Sequence, residues 1–164
     1  MKAPTTPPFS RILRVDDARR GEARFPFEAD VAERAALAKL NGLVAIETFA
    51  GEVEATPRPG GRISLRGRAL AKVVQTCVVS LDEFAAEVVC PIEADFVEAR
   101  PTDAARQPRG GRTREIDVDP VEDAPDEILD GRIDVGALAA EALSLALDPY
   151  PRKPGVAFVA PPET

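Results

Sequence analysis

Ile133–Pro154 reads IDVGALAAEALSLALDPYPRKP, one amphipathic helix with an abrupt stop. Asp134 is placed to be its N-cap, because a short carboxylate accepts the free backbone N–H groups of a first turn. Val135, Leu138, Ala142 and Leu145 recur at helical spacing, and Ala139, Leu143, Ala146 and Leu147 widen the stripe. Asp148-Pro149 closes the helix, since proline restricts the residue before it and offers no N–H to the preceding turn. A helix this apolar needs a surface to lie on. The rest of the chain supplies that surface as strands.

Immediately upstream, the chain is acidic. From Glu115 to Asp148 it carries eleven acidic residues and one base, Arg132, with a short edge strand expected at Glu115–Val118. Before that, residues 100–114 (RPTDAARQPRGGRTR) have the composition of a flexible loop. Further back lie the strand candidates: Leu43–Phe49, Glu52–Thr56, a strand within Arg62–Ser80, Phe84–Cys90 and Ile92–Glu98, with Pro57–Gly61 as a turn. Pro91 marks a break or an edge, and Gly67 a bulge or a close backbone contact. Asp30–Asn41 is a short helix opened by an Asp30/Glu33 capping box and stopped at Asn41-Gly42, with Val31, Ala35, Leu37 and Leu40 as its apolar surface. Phe25-Pro-Phe27 is extended, and Phe9–Val15 is a first strand or arm anchored by Phe9, Ile12 and Leu13.

The sum is an α+β fold. An antiparallel sheet, curling toward a half-barrel, is packed by a C-terminal amphipathic helix and a short N-terminal helix. The 164 residues suit one domain over 9–155, with tails at 1–8 and 156–164. No apolar run approaches the ~20 residues that cross a bilayer, and no signal-peptide pattern opens the chain, so the expectation is a cytoplasmic protein without membrane contact.

The chain has no histidine, which removes the commonest general base and the commonest metal ligand. It has no glycine-rich phosphate loop and no nucleophile elbow, so no catalytic residue is assigned and an enzyme is not expected. Cys77 and Cys90 are too few for a structural zinc site and are read as reduced core residues. Asp117, Asp119, Glu122, Asp123 and Asp126 are close in sequence, but Pro120 and Pro125 interrupt them and no central glycine makes a calcium loop. No metal and no cofactor are expected. A solvated loop, or an acidic docking segment at 115–134 for a basic protein, fits that composition better.

One charge pattern has a sharper reading. Between Glu54 and Asp82 there are five bases and no acid, in a chain whose net charge is −7. Alternation puts Arg62, Arg66, Arg68 and Lys72 on one face of a strand and Ile63, Leu65, Ala69, Ala71 and Val73 on the other. Guanidinium groups in a row can track phosphates. A solvated strand face, protecting an edge or pairing with acidic residues, explains the same pattern. A second basic group, Arg100, Arg106, Arg109, Arg112 and Arg114, lies in the loop.

Three stretches together resemble the bacterial YceD-like family, named for large ribosomal RNA subunit accumulation. They are Gln75-Thr-Cys-Val-Val-Ser80, Glu127-Ile-Leu-Asp-Gly-Arg-Ile-Asp134, and the helix Val135–Asp148 with its DPYPRKPG exit. The resemblance covers roughly residues 60–155. Cys77, Asp134 and Glu141 stand at family-motif positions. The family often has Cys-x-x-Cys where this chain has Cys77 and Ser80, so no metal or redox role carries over. The resemblance implies a non-enzymatic, cytoplasmic ribosome-biogenesis factor that supports accumulation or processing of large-subunit ribosomal RNA. Contact would be to RNA through Arg62, Arg66, Arg68 and Lys72, to ribosomal protein, or to both. A protein-interaction adaptor with no direct RNA contact is the alternative.

Overall fold

The computed structural model describes residues 7–21, 23–98 and 125–160. In chain order the elements are β1 (Ile12–Arg14), α1 (Val15–Arg19), β2 (Ala23–Glu28), α2 (Val31–Leu40), β3 (Ala45–Arg58), β4 (Arg62–Thr76), β5 (Glu83–Glu98), β6 (Asp126–Ile128), β7 (Arg132–Asp134) and α3 (Val135–Ala146). A five-stranded sheet runs β2-β3-β4-β5-β6, antiparallel except for the short parallel β5–β6 pair. β1 pairs with β7 in a separate ribbon. The fold is therefore mixed α+β as expected. The sheet is not closed, and β2 and β6 lie at its edges.

The strands are longer than the sequence reading makes them. The two strands expected at Leu43–Phe49 and Glu52–Thr56 run together as one, β3, which starts at Ala45 and has an irregularity between Ile46 and Thr48. Phe84–Cys90 and Ile92–Glu98 are one strand, β5, whose register with β4 runs through Pro91 unbroken. Proline permits this where its nitrogen faces an open edge. Gly67 makes no bulge. It faces Val53, and a Cβ there would run into the backbone of Glu52 and Val53, so glycine lets β3 and β4 approach. The strand expected at Glu115–Val118 and the loop 100–114 lie outside the described residues.

The alternation read in β4 is real. Ile63, Leu65, Ala69, Ala71 and Val73 are buried, on the face that receives the helices. Phe9, Phe27 and Phe49 form a cluster beneath β2 and β3, with ring centroids 5.6 to 6.3 Å apart. Arg11 lies over the Phe9 ring at 4.5 Å. It also forks onto Glu33 with bonds of 2.7 and 2.8 Å, which ties the N-terminal arm to α2. The capping box of α2 is present in both directions, Glu33 N–H to Asp30 and Asp30 N–H to Glu33, each at 2.8 Å.

Several side-chain assignments change. In α2 the buried residues are Leu37 and Ala38, whereas Val31, Ala35 and Leu40 are exposed. In the arm, Phe9 and Leu13 are buried but Ile12 is exposed. In α3 the packed face is Val135, Ala139, Ala140 and Leu143; Leu138 and Ala142 sit at its margin and Leu145 is 80% exposed. The expected stripe was rotated toward solvent by about one residue step. At 100° per residue, that is enough to carry its last leucine off the contact. The ribbon β1–β7 and the Asp130-Gly131 turn before it were not anticipated, although Asp-Gly is a strong turn signal.

Candidate functional site

The face of the sheet opposite the helices carries the bases of β4. Arg62, Arg66, Arg68 and Lys72 are all exposed there, as alternation requires. Strand register then sets their neighbours. Arg66 lies between Glu54 of β3 and Glu93 of β5, and Arg24 of β2 continues the same rung beyond Glu54. The order across the sheet is thus base, acid, base, acid. Arg68 faces Glu52 on one side and Pro91 on the other; Lys72 faces Thr48 and Glu87.

The distances follow that alternation. Arg66 Nη2 is 3.1 Å from Glu93 and 3.6 Å from Asp95. Lys72 Nζ is 3.1 Å from Glu47, and Arg24 is 4.0 Å from Glu52. These pairs are half-exposed, so each contributes about 0.2–1 kcal/mol at most. Their larger consequence is electrostatic. A phosphate backbone approaching β4 meets carboxylates on both flanking strands, which cancel much of the field the bases would project. Arg58 and Arg62 make the exception: they face each other at the far end of the β3–β4 pair.

Two of the motif stretches, Gln75–Ser80 and the exit of α3, meet at one end of the sheet, whereas Glu127–Asp134 starts at the other end, where β6 pairs with Phe96–Glu98. After β4, Cys77 opens a tight turn in which its N–H bonds Asp82 O at 2.8 Å and Leu81 N–H bonds Cys77 O at 2.9 Å. The chain leaving α3 docks on that turn: Val78 N–H donates to Pro151 O at 3.0 Å, and Lys153 pairs with Asp82 at 3.5 Å. Cys77 Sγ accepts the Ser80 N–H at 3.4 Å. Ser80's side chain, then backbone N–H groups of Ser80, Lys153 and Val79, draw the thiol down to about 6. Cys90, buried against the core, is pushed the other way, to about 11. Both cysteines are buried and unpaired.

Asp134 is a structural hub. One carboxylate oxygen accepts from Ala137 N–H at 3.0 Å, capping α3, and from Arg11 N–H at 2.9 Å; the other accepts from Ser10 Oγ at 2.7 Å. Glu141 is exposed on α3, where it lines a groove of about 1050 Å³ with Leu138, Ala142 and Leu145, opposite Pro91–Asp95 of β5. That groove lay outside the sequence reading, because the exposure of Leu145 depends on the rotation of α3. Among the described residues no group of His, Cys, Asp and Glu is arranged to hold a metal ion. Asp126 is exposed on β6; Asp117, Asp119, Glu122 and Asp123, like the whole of 115–124 and the loop arginines, lie outside the described residues. No described helix is long and apolar enough to cross a membrane.

No family model, no curated protein and no solved structure matches this chain.

Proposed function

We propose that this chain is a non-catalytic protein-interaction factor acting in assembly of the large ribosomal subunit. The pathway rests on the resemblance of Gln75–Ser80, Glu127–Asp134 and α3 to the YceD-like family. The preference for protein contact rests on one observation: the bases of β4 stand between the acids of β3 and β5, with Arg66 flanked by Glu54 and Glu93. A surface balanced in this way projects little net field, so the bases of β4 are not the contact and a partner protein is met elsewhere on the fold. A polyanion would need a continuous basic track.

RNA contact is the second reading, favoured by the exposure of all four bases and by Arg58 and Arg62 facing one another. Replacing Arg66 and Arg68 with Gln separates the two. Gln suits this better than Glu, which would set like charges beside Glu52, Glu54 and Glu93 and disturb the sheet. On the protein-contact reading the double variant supports large-subunit assembly as the parent does, and tagged parent and variant recover the same ribosomal proteins from cells. If the folded variant fails in assembly, and the parent binds a large-subunit ribosomal RNA fragment with salt-sensitive affinity that the variant lacks, the RNA reading replaces it.

A further inference from the structure

The groove beside α3 borders an unfinished sheet edge. β5 pairs with β6 only over Phe96–Glu98, so Glu83–Asp95 has no strand neighbour on that side among the described residues. Pro91 fixes which residues face outward. Its nitrogen points to the open edge, so the other odd-numbered residues of β5 turn their N–H and C=O the same way. Glu93 therefore offers both its backbone groups where the groove begins, and Asp95, next to β6, its N–H.

The chemistry of the lining is one-sided. Its apolar surface is Ile92, Ala94, Leu138, Ala142 and Leu145, the last of these 80% exposed. Its charged rim is Glu93, Asp95, Asp126 and Glu141, against Arg62 alone. Arg66 reaches Glu93 and Asp95 from the outer face and partly offsets them. Along the rest of β5 the outer face adds Glu83 and Glu87 and no base. Two copies paired through this edge would set carboxylates against carboxylates, which disfavours a second copy as the occupant.

We infer that this groove docks a basic, extended segment of a partner protein, added as a strand beside β5. Its Lys or Arg side chains would lie on the outer face against Glu93 and Asp95. Its alternate, apolar side chains would enter the groove against Leu138, Ala142 and Leu145. Main-chain bonds to the edge give affinity, and the alternating side chains give specificity. The inference deepens the proposed function and rests on it for the identity of the partner, since basic segments are what a large-subunit protein would offer.

The test uses the full chain and a fluorescent synthetic peptide with Lys and Val at alternate positions, read by anisotropy. Leu145→Glu and Glu141→Lys change exposed positions, so both variants should fold; Val31→Glu, at another exposed apolar site, is the control. Saturable binding is expected, absent for the peptide with Glu in place of Lys, and weaker at high salt. Leu145→Glu and Glu141→Lys should each weaken it ~10-fold or more, as loss of a central contact does, while Val31→Glu leaves it unchanged. No saturable binding, or equal binding by all variants, overturns the proposal. So does a parent dimer in sedimentation that Leu145→Glu abolishes, because the occupant is then a second copy. Recovery of ribosomal proteins from cells reads the wider function separately. If it persists in Leu145→Glu while the peptide fails to bind, the groove assignment alone is lost; if the parent recovers none, the wider reading is lost.

Discussion

Gly136→Ala is the substitution for which helix propensity and tertiary contact predict opposite signs. Gly136 is the second residue of α3. On propensity alone, alanine in its place stabilises a helix by about 0.8–1 kcal/mol. The fold puts the N-terminal arm across this position. A Cβ at residue 136 would stand 2.5 Å from Arg11 N and 2.7 Å from Ser10 C and Cα. These are backbone atoms, so no rotamer change relieves the clash. The arm is also held where it is. Arg11 N–H bonds Asp134 at 2.9 Å, Ser10 Oγ bonds Asp134 at 2.7 Å, and Val135 N–H bonds Arg11 O at 2.8 Å.

Overpacking of this kind costs about 1–3 kcal/mol, and stretching the Asp134 bonds adds about 1 kcal/mol for each one lost. Against the propensity gain, the net is a destabilisation of roughly 1–3 kcal/mol. For a chain of this length that is a fall in Tm of roughly 3–10 °C. Urea unfolding followed by circular dichroism measures it. Asp134→Ala supplies the second arm of a double-mutant cycle: once Asp134 no longer holds Ser10 and Arg11, the alanine should be better tolerated, giving a coupling of about 0.5 kcal/mol or more. A Tm that rises in Gly136→Ala, or costs that simply add, would show that the arm does not press on α3.

Three further perturbations test other parts of the fold. Leu143→Ala should cost about 2–5 kcal/mol and Leu145→Ala under about 0.5 kcal/mol; equal costs by urea titration would mean that α3 is rotated from the face described. Arg11→Ala should free the arm, and the stability gap to the parent should depend on pH, because the Arg11 hydrogen bond lowers the Glu33 carboxyl below its ordinary 4.5. The gap is complete above 4.5 and shrinks as pH falls through the lowered value; a gap unchanged down to pH 2 would refute the pairing. Cys77 ionises near 6 in the fold and near its ordinary 9.0 when unfolded, so its thiolate contributes stability that grows from about pH 6 to about pH 9 and is lost as pH falls back. Cys77→Ser should flatten that part of the stability–pH curve, and parallel curves for parent and variant would count against an ionised Cys77.

What a single stretch encodes locally was legible. The Asp30/Glu33 box and the Asp134 cap needed only short-range spacing, and the alternation of β4 needed only period two. What depends on tertiary placement was not. The face of α3 is set by the sheet beneath it, so a broad stripe of Ala and Leu left the contact ambiguous by a residue step, enough to put Leu145 in solvent. α1 is five residues long, too short for a periodic signal. Pro91 and Gly51 look like breaks in a linear reading, yet β5 passes through Pro91 and β3 through Gly51 without interruption. An edge strand tolerates the first, and close packing of Gly51 on Arg68, Ala69 and Phe27 accounts for the second.

The basic stripe shows how far such a reading extends. Its residues and its face follow from β4 alone, but its field does not. Glu52 and Glu54 precede the stripe in the chain, and Glu87, Glu93 and Asp95 follow it; only strand pairing brings them beside Arg68, Arg66, Lys72 and Ser64. A window holding five bases and no acid becomes a surface where most bases have a carboxylate neighbour across the strand. The same pairing leaves β5 with acids on its outer face and, among the described residues, an edge without a strand neighbour beside exposed leucine. Charge that is basic along the sequence is spent between strands, and the unbalanced charge that remains on β5 is acidic. That inversion moves the expected partner from a phosphate chain at β4 to a basic protein segment at β5.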